Sequence, residues 1–241
     1  MDATRRGSVV VLTGAGISAD SGLATFRGAG GLWEGRRVED VATPAAWARD
    51  PESVWRFYQL RRASLGKVEP NEAHRALARF EASLEGSGTE FLLVTQNVDD
   101  LHERAASRPV HMHGELAQLA CEGCGFEVRD FEHLAPEEFV ACARCSRRMR
   151  PAVVWFGEVP RQLERIVAAL ERCTHFVAIG TSGLVYPAAG MLALAREGGA
   201  RTIVTGLEPP DNLTLADEFV VGRAAEVVGA LLQRIGRELE S

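Results

Sequence analysis

The apolar positions fall into two rhythms. Short unbroken runs rich in valine, isoleucine and leucine recur at Ser8–Thr13, Phe91–Thr95, Ala152–Phe156, His175–Gly180 and Arg201–Thr205. Runs of this length without polar alternation predict strands buried on both faces. Between them, apolar residues return every three or four positions. That spacing predicts helices over Pro44–Asp50, Pro51–Leu65, Pro70–Leu84 and Val98–Ala106, and over about 160–172, 187–198 and 224–239. Val54, Phe57, Leu60 and Arg61 share the stripe of the second helix, and Ala73, Leu77 and Phe80 that of the third. Strands alternating with helices predict an α/β fold with a Rossmann-like parallel sheet covered on both faces. Residues 116–150 break the rhythm: they are polar, rich in Cys and Arg, and read as an inserted module.

Composition narrows the classes. The 241 residues allow one or two domains and a sizeable core without disulfides. Twenty-seven basic against thirty-three acidic residues give a net charge of −6, which argues against a specific nucleic-acid partner. No apolar run approaches the ~20 residues of a membrane span. Arg5-Arg6 precede an apolar stretch too short for a signal peptide, so the chain reads as cytosolic, with no membrane partner. Lys67 is the single lysine, a bias that a GC-rich genome explains.

Two motifs carry chemistry on their own. Cys121-x2-Cys124 and Cys142-x2-Cys145 are CxxC knuckles 17 residues apart. Four thiolates suit one closed, tetrahedral, structural Zn²⁺ site, and metal would supply folding energy to a module poor in apolar residues. Disulfides are the competing reading, disfavoured in a cytosolic chain, and redox catalysis by one pair is a third. Cys173 reads as packing. Gly14-Ala15-Gly16-Ile17-Ser18 follows a strand and precedes a helix for which Ser18 is a candidate N-cap. Glycines there let backbone N–H groups approach a pyrophosphate, but the third glycine and the acidic residue of a dehydrogenase fingerprint are missing.

Longer motifs identify a family. Gly14 to Arg27, reading GAGISADSGLATFR, resembles the sirtuins, NAD-dependent protein-lysine deacylases. Thr95 to His102 (TQNVDDLH), His111 to Leu116 (HMHGEL), Arg150 to Glu158 (RPAVVWFGE), Gly180-Thr181-Ser182 and the four cysteines match in order. The resemblance spans about residues 8 to 232. It implies a Rossmann-like NAD-binding domain from 1–27, 67–115 and 151–241. It also implies a smaller domain made of a helical insertion with an NAD-covering loop at 28–66 and a zinc-ribbon module at 116–150. NAD, a co-substrate, would lie in the cleft between them. Gly14, Ala15, Gly16, Ile17, Ser18 and Ala19 would hold the pyrophosphate. Thr25, Phe26, Arg27 and Trp33 would shape the nicotinamide end, with Gln96, Asn97, Val98 and Asp99 on nicotinamide and its ribose. Gly180, Thr181, Ser182, Gly206, Leu207, Glu208 and Ala224 would meet the adenosine half.

By the same resemblance, His113 is the general base. The acyl-lysine oxygen would displace nicotinamide from C1′, and His113 would help a ribose hydroxyl attack the resulting imidate. Water would complete the reaction, giving nicotinamide, free lysine and 2′-O-acyl-ADP-ribose as products. His111, two residues away, reads as structural. Val154, Phe156, Gly157, Glu158 and Val185 would hold acyl-lysine proteins or peptides as an added strand. Tyr58 and Arg61 share a helix face, three positions apart. A Tyr-x-x-Arg pair at this place resembles the class that removes succinyl, malonyl and glutaryl groups, which implies removal of succinyl and malonyl beside acetyl groups here. A guanidinium can hold a terminal carboxylate by two hydrogen bonds, and the phenol adds one more. Two departures stand out. Thr25 replaces the Asp of many sirtuins, and Gly206-Leu207-Glu208 replaces Asn-x-Glu, removing an amide expected near the adenosine ribose. The rival readings are mono-ADP-ribosyl transfer to protein and a non-catalytic NAD-sensing zinc-ribbon module.

Overall fold

The computed structural model describes residues 7–24, 32–33 and 36–240, the side chains of 32 and 33 excepted. Strand β1 (Ser8–Thr13) leads through two 3-10 turns, Ala15–Ile17 and Ala19–Ser21, to a small antiparallel pair, β2 (Leu32–Trp33) and β3 (Arg36–Arg37). Helices α1 (Val38–Val41), α2 (Pro44–Arg49), α3 (Pro51–Leu65) and α4 (Glu72–Leu84) follow, then β4 (Glu90–Thr95), α5 (Leu101–Arg104) and β5 (Val110–His111). Next come β6 (Gly114–Cys121), β7 (Glu127–Arg129) and β8 (Met149–Val153). The chain finishes with α6 (Leu163–Leu170), β9 (His175–Ile179), α7 (Ala188–Glu197), β10 (Arg201–Gly206), β11 (Glu218–Val221) and α8 (Ala224–Glu240).

Six strands form a parallel sheet in the order β11-β10-β9-β1-β4-β5. The middles of its central strands are apolar on both sides because helices cover both faces. One face packs Val10, Leu12 and Phe176 against Ile166, Leu170 and Leu192. The other packs Val9, Val11 and Ile203 against Leu77, Phe80, Val228 and Ile235. The chain passes from β1 to β4 on one side, and later to β9 on the other. The strand order therefore reverses at β1/β9, where doubly wound sheets leave a crevice at their carboxyl ends.

A second sheet, antiparallel in the order β7-β6-β8, carries the cysteine module. The apolar run at Ala152–Phe156 belongs here and not in the parallel sheet: β8 ends at Val153 and pairs with β6. The module borrows its core. Leu116, Leu119, Cys121, Cys142, Met149 and Trp155 form one apolar cluster with Trp47, Trp55, Phe57 and Tyr58 of α2 and α3.

Other expectations shift for local reasons. Ser18 caps no helix; its hydroxyl donates to Asp99 instead, and 3-10 turns stand where a helix was expected. The helix expected over Val98–Ala106 shrinks to α5, because Asn97 and Asp99 are committed to hydrogen bonds that hold the preceding loop. Helix α4 starts at Glu72, after an Asn71 cap. Leu60 is 57% exposed and leaves the α3 stripe, while Trp55 and Tyr58 are buried. The strands β5 and β11 are too short or too mixed in polarity to have been read from pattern. Among the described residues no helix is long and apolar enough to cross a membrane.

Candidate active site

A cleft of about 930 Å³ opens between the carboxyl ends of the parallel sheet and the cluster of α3 with the antiparallel sheet. Its floor is the β1/β9 crossing. Gly14 N–H donates to the Ile179 carbonyl (2.9 Å) and Gly16 N–H to the Gly180 carbonyl (2.8 Å). A Cβ at Gly16 would stand 2.6 Å from Gly180 Cα, so glycine is required where the two loops touch. Gly14, Ala15, Gly16, Ser18 and Ala19 line the cleft, as do Gly180, Thr181 and Ser182. Ile17 does not: its side chain is fully buried in the sheet core. Only its main chain takes part in the turn, bonding Gly14 (3.1 Å).

The loop after β4 supplies Gln96, Asn97, Val98 and Asp99 to the cleft. Ser18 is the hub of this wall. Its hydroxyl donates to Asp99 Oδ2 (3.1 Å) and accepts from Asn97 Nδ2 (3.1 Å). Burial holds the Asp99 carboxyl above its ordinary value, against the bonds from Leu101 N–H and Ser18. Gln96 Nε2 donates to Thr181 Oγ1 (3.1 Å), tying this loop to the one after β9. Gly206, Leu207, Glu208 and Ala224 line the far end, where an Arg223–Asp20 ion pair (2.8 Å) crosses the wall. Sequence reading missed that pair, since nothing in the pattern links residues 203 positions apart. Thr25, Phe26, Arg27 and the side chain of Trp33 lie outside the described residues.

His113 lines the same cleft, half-buried just before β6. Its Nδ1 lies 3.0 Å from the Gln96 carbonyl. A carbonyl only accepts, so Nδ1 carries the proton and Nε2 holds the free lone pair of the neutral ring. Burial lowers the His113 pKa from its ordinary value, opposed by the Gln96 carbonyl, so the ring is a neutral base at physiological pH. His111 differs. It is buried outside the cleft, with Nδ1 3.0 Å from the Asn97 carbonyl and Nε2 2.6 Å from Glu103.

The opposite wall holds the expected acyl and peptide residues. Tyr58, Arg61, Val154, Phe156, Gly157, Glu158 and Val185 all line it. Tyr58 is buried and its hydroxyl accepts from Trp155 Nε1 (3.0 Å). Burial pushes its phenol well above the ordinary value, so it stays protonated and can donate. Arg61 sits one turn on, over the edge of Phe57. Val154 N–H bonds the His113 carbonyl (2.8 Å), linking His113 to the segment that runs on to Phe156.

The four cysteines stand apart from the cleft. Cys121 Sγ lies 3.4 Å from Cys145 Sγ, and Cys124 Sγ lies 3.8 Å from Cys142 Sγ. Tetrahedral zinc with ~2.3 Å bonds needs sulfurs about 3.8 Å apart, so the donor set fits. Gly123 and Cys124 N–H groups reach Cys121 Sγ (3.3 and 3.5 Å), and Arg144 N–H reaches Cys142 Sγ (3.4 Å), as thiolates require. Buried Cys173 donates to the Leu170 carbonyl, and burial pushes its thiol up to about 11.

Comparison with known proteins agrees with this geometry. A Sir2 family model matches residues 14–187. A Caulobacter vibrioides protein named NAD-dependent protein deacylase is 50% identical over 230 residues, covering 94% of this chain and 96% of the relative. An ADP-ribose complex of a Sir2 homologue superposes with a TM-score of 0.88 at 37% identity, covering 97% of this chain and 93% of that one. A Sir2–p53 peptide–NAD+ complex superposes with a TM-score of 0.80 at 27% identity, covering 95% and 93%. The chain belongs to the Sir2, or sirtuin, family.

Proposed function

We propose that the protein is an NAD-dependent protein-lysine deacylase that accepts acetyl groups and favours acyl groups ending in a carboxylate, such as succinyl and malonyl. The observation that carries this reading is that Tyr58 and Arg61 open onto the same cleft as His113. The base and an anion-binding pair therefore serve one pocket.

NAD, when bound, supplies a ribose carbon that loses nicotinamide to the acyl oxygen. Glycine at 14, 16 and 180 lets the turns after β1 and β9 interlock through their own main-chain bonds, and the pyrophosphate would lie on the floor that they form. Asn97 and Asp99, fixed by Ser18, face the nicotinamide-ribose end. His113 accepts a ribose hydroxyl proton at Nε2, while Gln96 holds the opposite nitrogen. The exposed segments at 156–159 and 183–186 leave main-chain groups for an extended peptide, which makes sequence selectivity loose. Water then releases lysine from the imidate carbon, and the products are nicotinamide, free lysine and 2′-O-acyl-ADP-ribose. One Zn²⁺ on Cys121, Cys124, Cys142 and Cys145 holds the module together and takes no part in the reaction.

The test is a competition. Acetyl-lysine and succinyl-lysine forms of one peptide are mixed in equal amounts with enzyme and NAD, and followed by mass spectrometry. Faster loss of succinyl with O-succinyl-ADP-ribose formed is the expected result. Faster loss of acetyl sinks the carboxylate preference alone. Nicotinamide release without acyl-lysine, and with label transferred to protein, sinks deacylation in favour of ADP-ribosyl transfer.

A further inference from the structure

The two 3-10 turns Ala15–Ile17 and Ala19–Ser21 carry Gly16, Ser18 and Ala19 of the cleft floor. Turns this short have strained hydrogen-bond geometry and little stability of their own. The N-terminus of α4 holds both. Asn71 Nδ2 has two hydrogens to give, and they go to the Ile17 carbonyl (2.8 Å) and to Ser21 Oγ (3.0 Å), one bond to each turn. Asn71 Oδ1 accepts the Ala73 N–H (3.0 Å) and so caps α4. The partners fix which way the amide faces: a main-chain N–H needs its oxygen and a main-chain carbonyl needs its nitrogen. Helix α4 is a firm anchor, because Ala73 and Leu77 are fully buried in one apolar cluster with Ile17.

His74 adds to the same hold. The Asn71 main-chain N–H donates to His74 Nδ1 (3.3 Å), so the ring proton sits on Nε2, which faces the Ser18 hydroxyl at 3.5 Å. Burial lowers the His74 pKa to about 4, which keeps the ring neutral in this tautomer at physiological pH. Asn71 and His74 both lie outside the cleft lining. We propose that Asn71 is a positioning residue for the co-substrate: its amide nitrogen sets the two turns in the geometry that NAD requires before NAD binds. The inference rests on the reading above that the pyrophosphate lies on these turns.

The experiment measures the Kd of ADP-ribose by calorimetry, the KM for NAD in deacylation, and the melting temperature. Asn71→Ser keeps an oxygen to cap α4, removes both amide donors and adds no charge beside the pyrophosphate. It raises the Kd and the KM for NAD roughly three- to tenfold by shrinking the binding-ready population, with kcat at saturating NAD within about twofold of wild type. Asn71→Ala loses the cap as well. It melts lower than Asn71→Ser, yet binds ADP-ribose no more weakly. Ser21→Ala removes one of the two partners and raises the Kd about twofold, but changes nothing further in an Asn71→Ser background. That pair carries the test by itself should Asn71→Ala fail to fold. An affinity that follows melting temperature, with Asn71→Ser binding as wild type does, or a loss confined to kcat, returns Asn71 to helix capping alone and overturns the role. The wild-type chain separates the two failures. If it binds neither ADP-ribose nor NAD, the co-substrate reading falls and this role with it. If it binds both and Asn71→Ser binds them as tightly, only the positioning role falls.

Discussion

His111 and His113 each direct Nδ1 to a main-chain carbonyl of the loop after β4, His111 to Asn97 and His113 to Gln96. Their other nitrogens differ. His111 Nε2 meets the Glu103 carboxylate at 2.6 Å, whereas no described residue bonds His113 Nε2. Two acceptors make His111 an imidazolium. One acceptor leaves His113 a base.

For His113, burial lowers the pKa, so the neutral form persists to below the ordinary value of about 6.5. Deacylation should rise with pH along an acid limb centred below that value and then level off. His113→Ala should reduce deacylation about 10²–10⁴-fold and abolish the limb. A kcat/KM profile between pH 5 and 8 checks both.

For His111, burial alone would lower the pKa, but the Glu103 bond and the Glu103 and Glu115 charges raise it overall. A raised folded-state value contributes stability below the unfolded value and loses it as pH climbs through the folded one. Glu103→Gln should therefore destabilise more at pH 5.5 than at pH 8.5, by about 1.5 kcal/mol or more at the lower pH. Urea unfolding at the two pH values measures the difference.

Arg61→Met should cut kcat/KM for a succinyl peptide by roughly 10–100-fold, the worth of a charge-assisted hydrogen bond, and leave acetyl turnover nearly unchanged. Steady-state kinetics on paired peptides decide this. Equal losses on both would assign Arg61 to the frame of the pocket.

Gly206 leaves room at the end of the cleft proposed for adenosine, where an added Cβ would stand 3.4 Å from the Glu208 carbonyl. Gly206→Asn should restore an amide there and lower the KM for NAD about three- to tenfold, with kcat little changed. An unchanged KM would mean that this chain binds the adenosine ribose by other groups.

Zinc should be present at one equivalent per chain, measurable by elemental analysis. Its removal by a strong chelator should unfold 116–150 and lower the melting temperature by several degrees. Cys142→Ser should do the same without chelator.

Much of this was legible in residue order. The parallel sheet followed from unbroken apolar runs, the clustering of the four cysteines from CxxC spacing, and the cleft residues from four ordered motifs. What escaped was set by contacts between distant segments. Ser18 reads as a helix cap locally, yet Asn97 and Asp99 claim its hydroxyl. Ile17 sits inside the glycine motif but faces the core. Arg150 and Trp155 are only motif members in the sequence, and the fold reveals that Trp155 bonds the Tyr58 hydroxyl with Arg150 against its ring.

Helix α3 is fastened to the cysteine module along its outer side. Trp55 Nε1 donates to the Glu138 carbonyl (2.9 Å), Gln59 Nε2 to the His133 carbonyl (2.7 Å), and buried Arg62 to the Asp130 carbonyl. These main-chain acceptors belong to 130–138, a stretch without regular structure between the knuckles. The helix that carries Tyr58 and Arg61 is therefore shaped to one loop between the two cysteine pairs. Exchanging acyl preference between relatives by swapping that helix alone should yield misfolded chimaeras, whereas a transplant carrying residues 130–138 with it moves a self-consistent cassette.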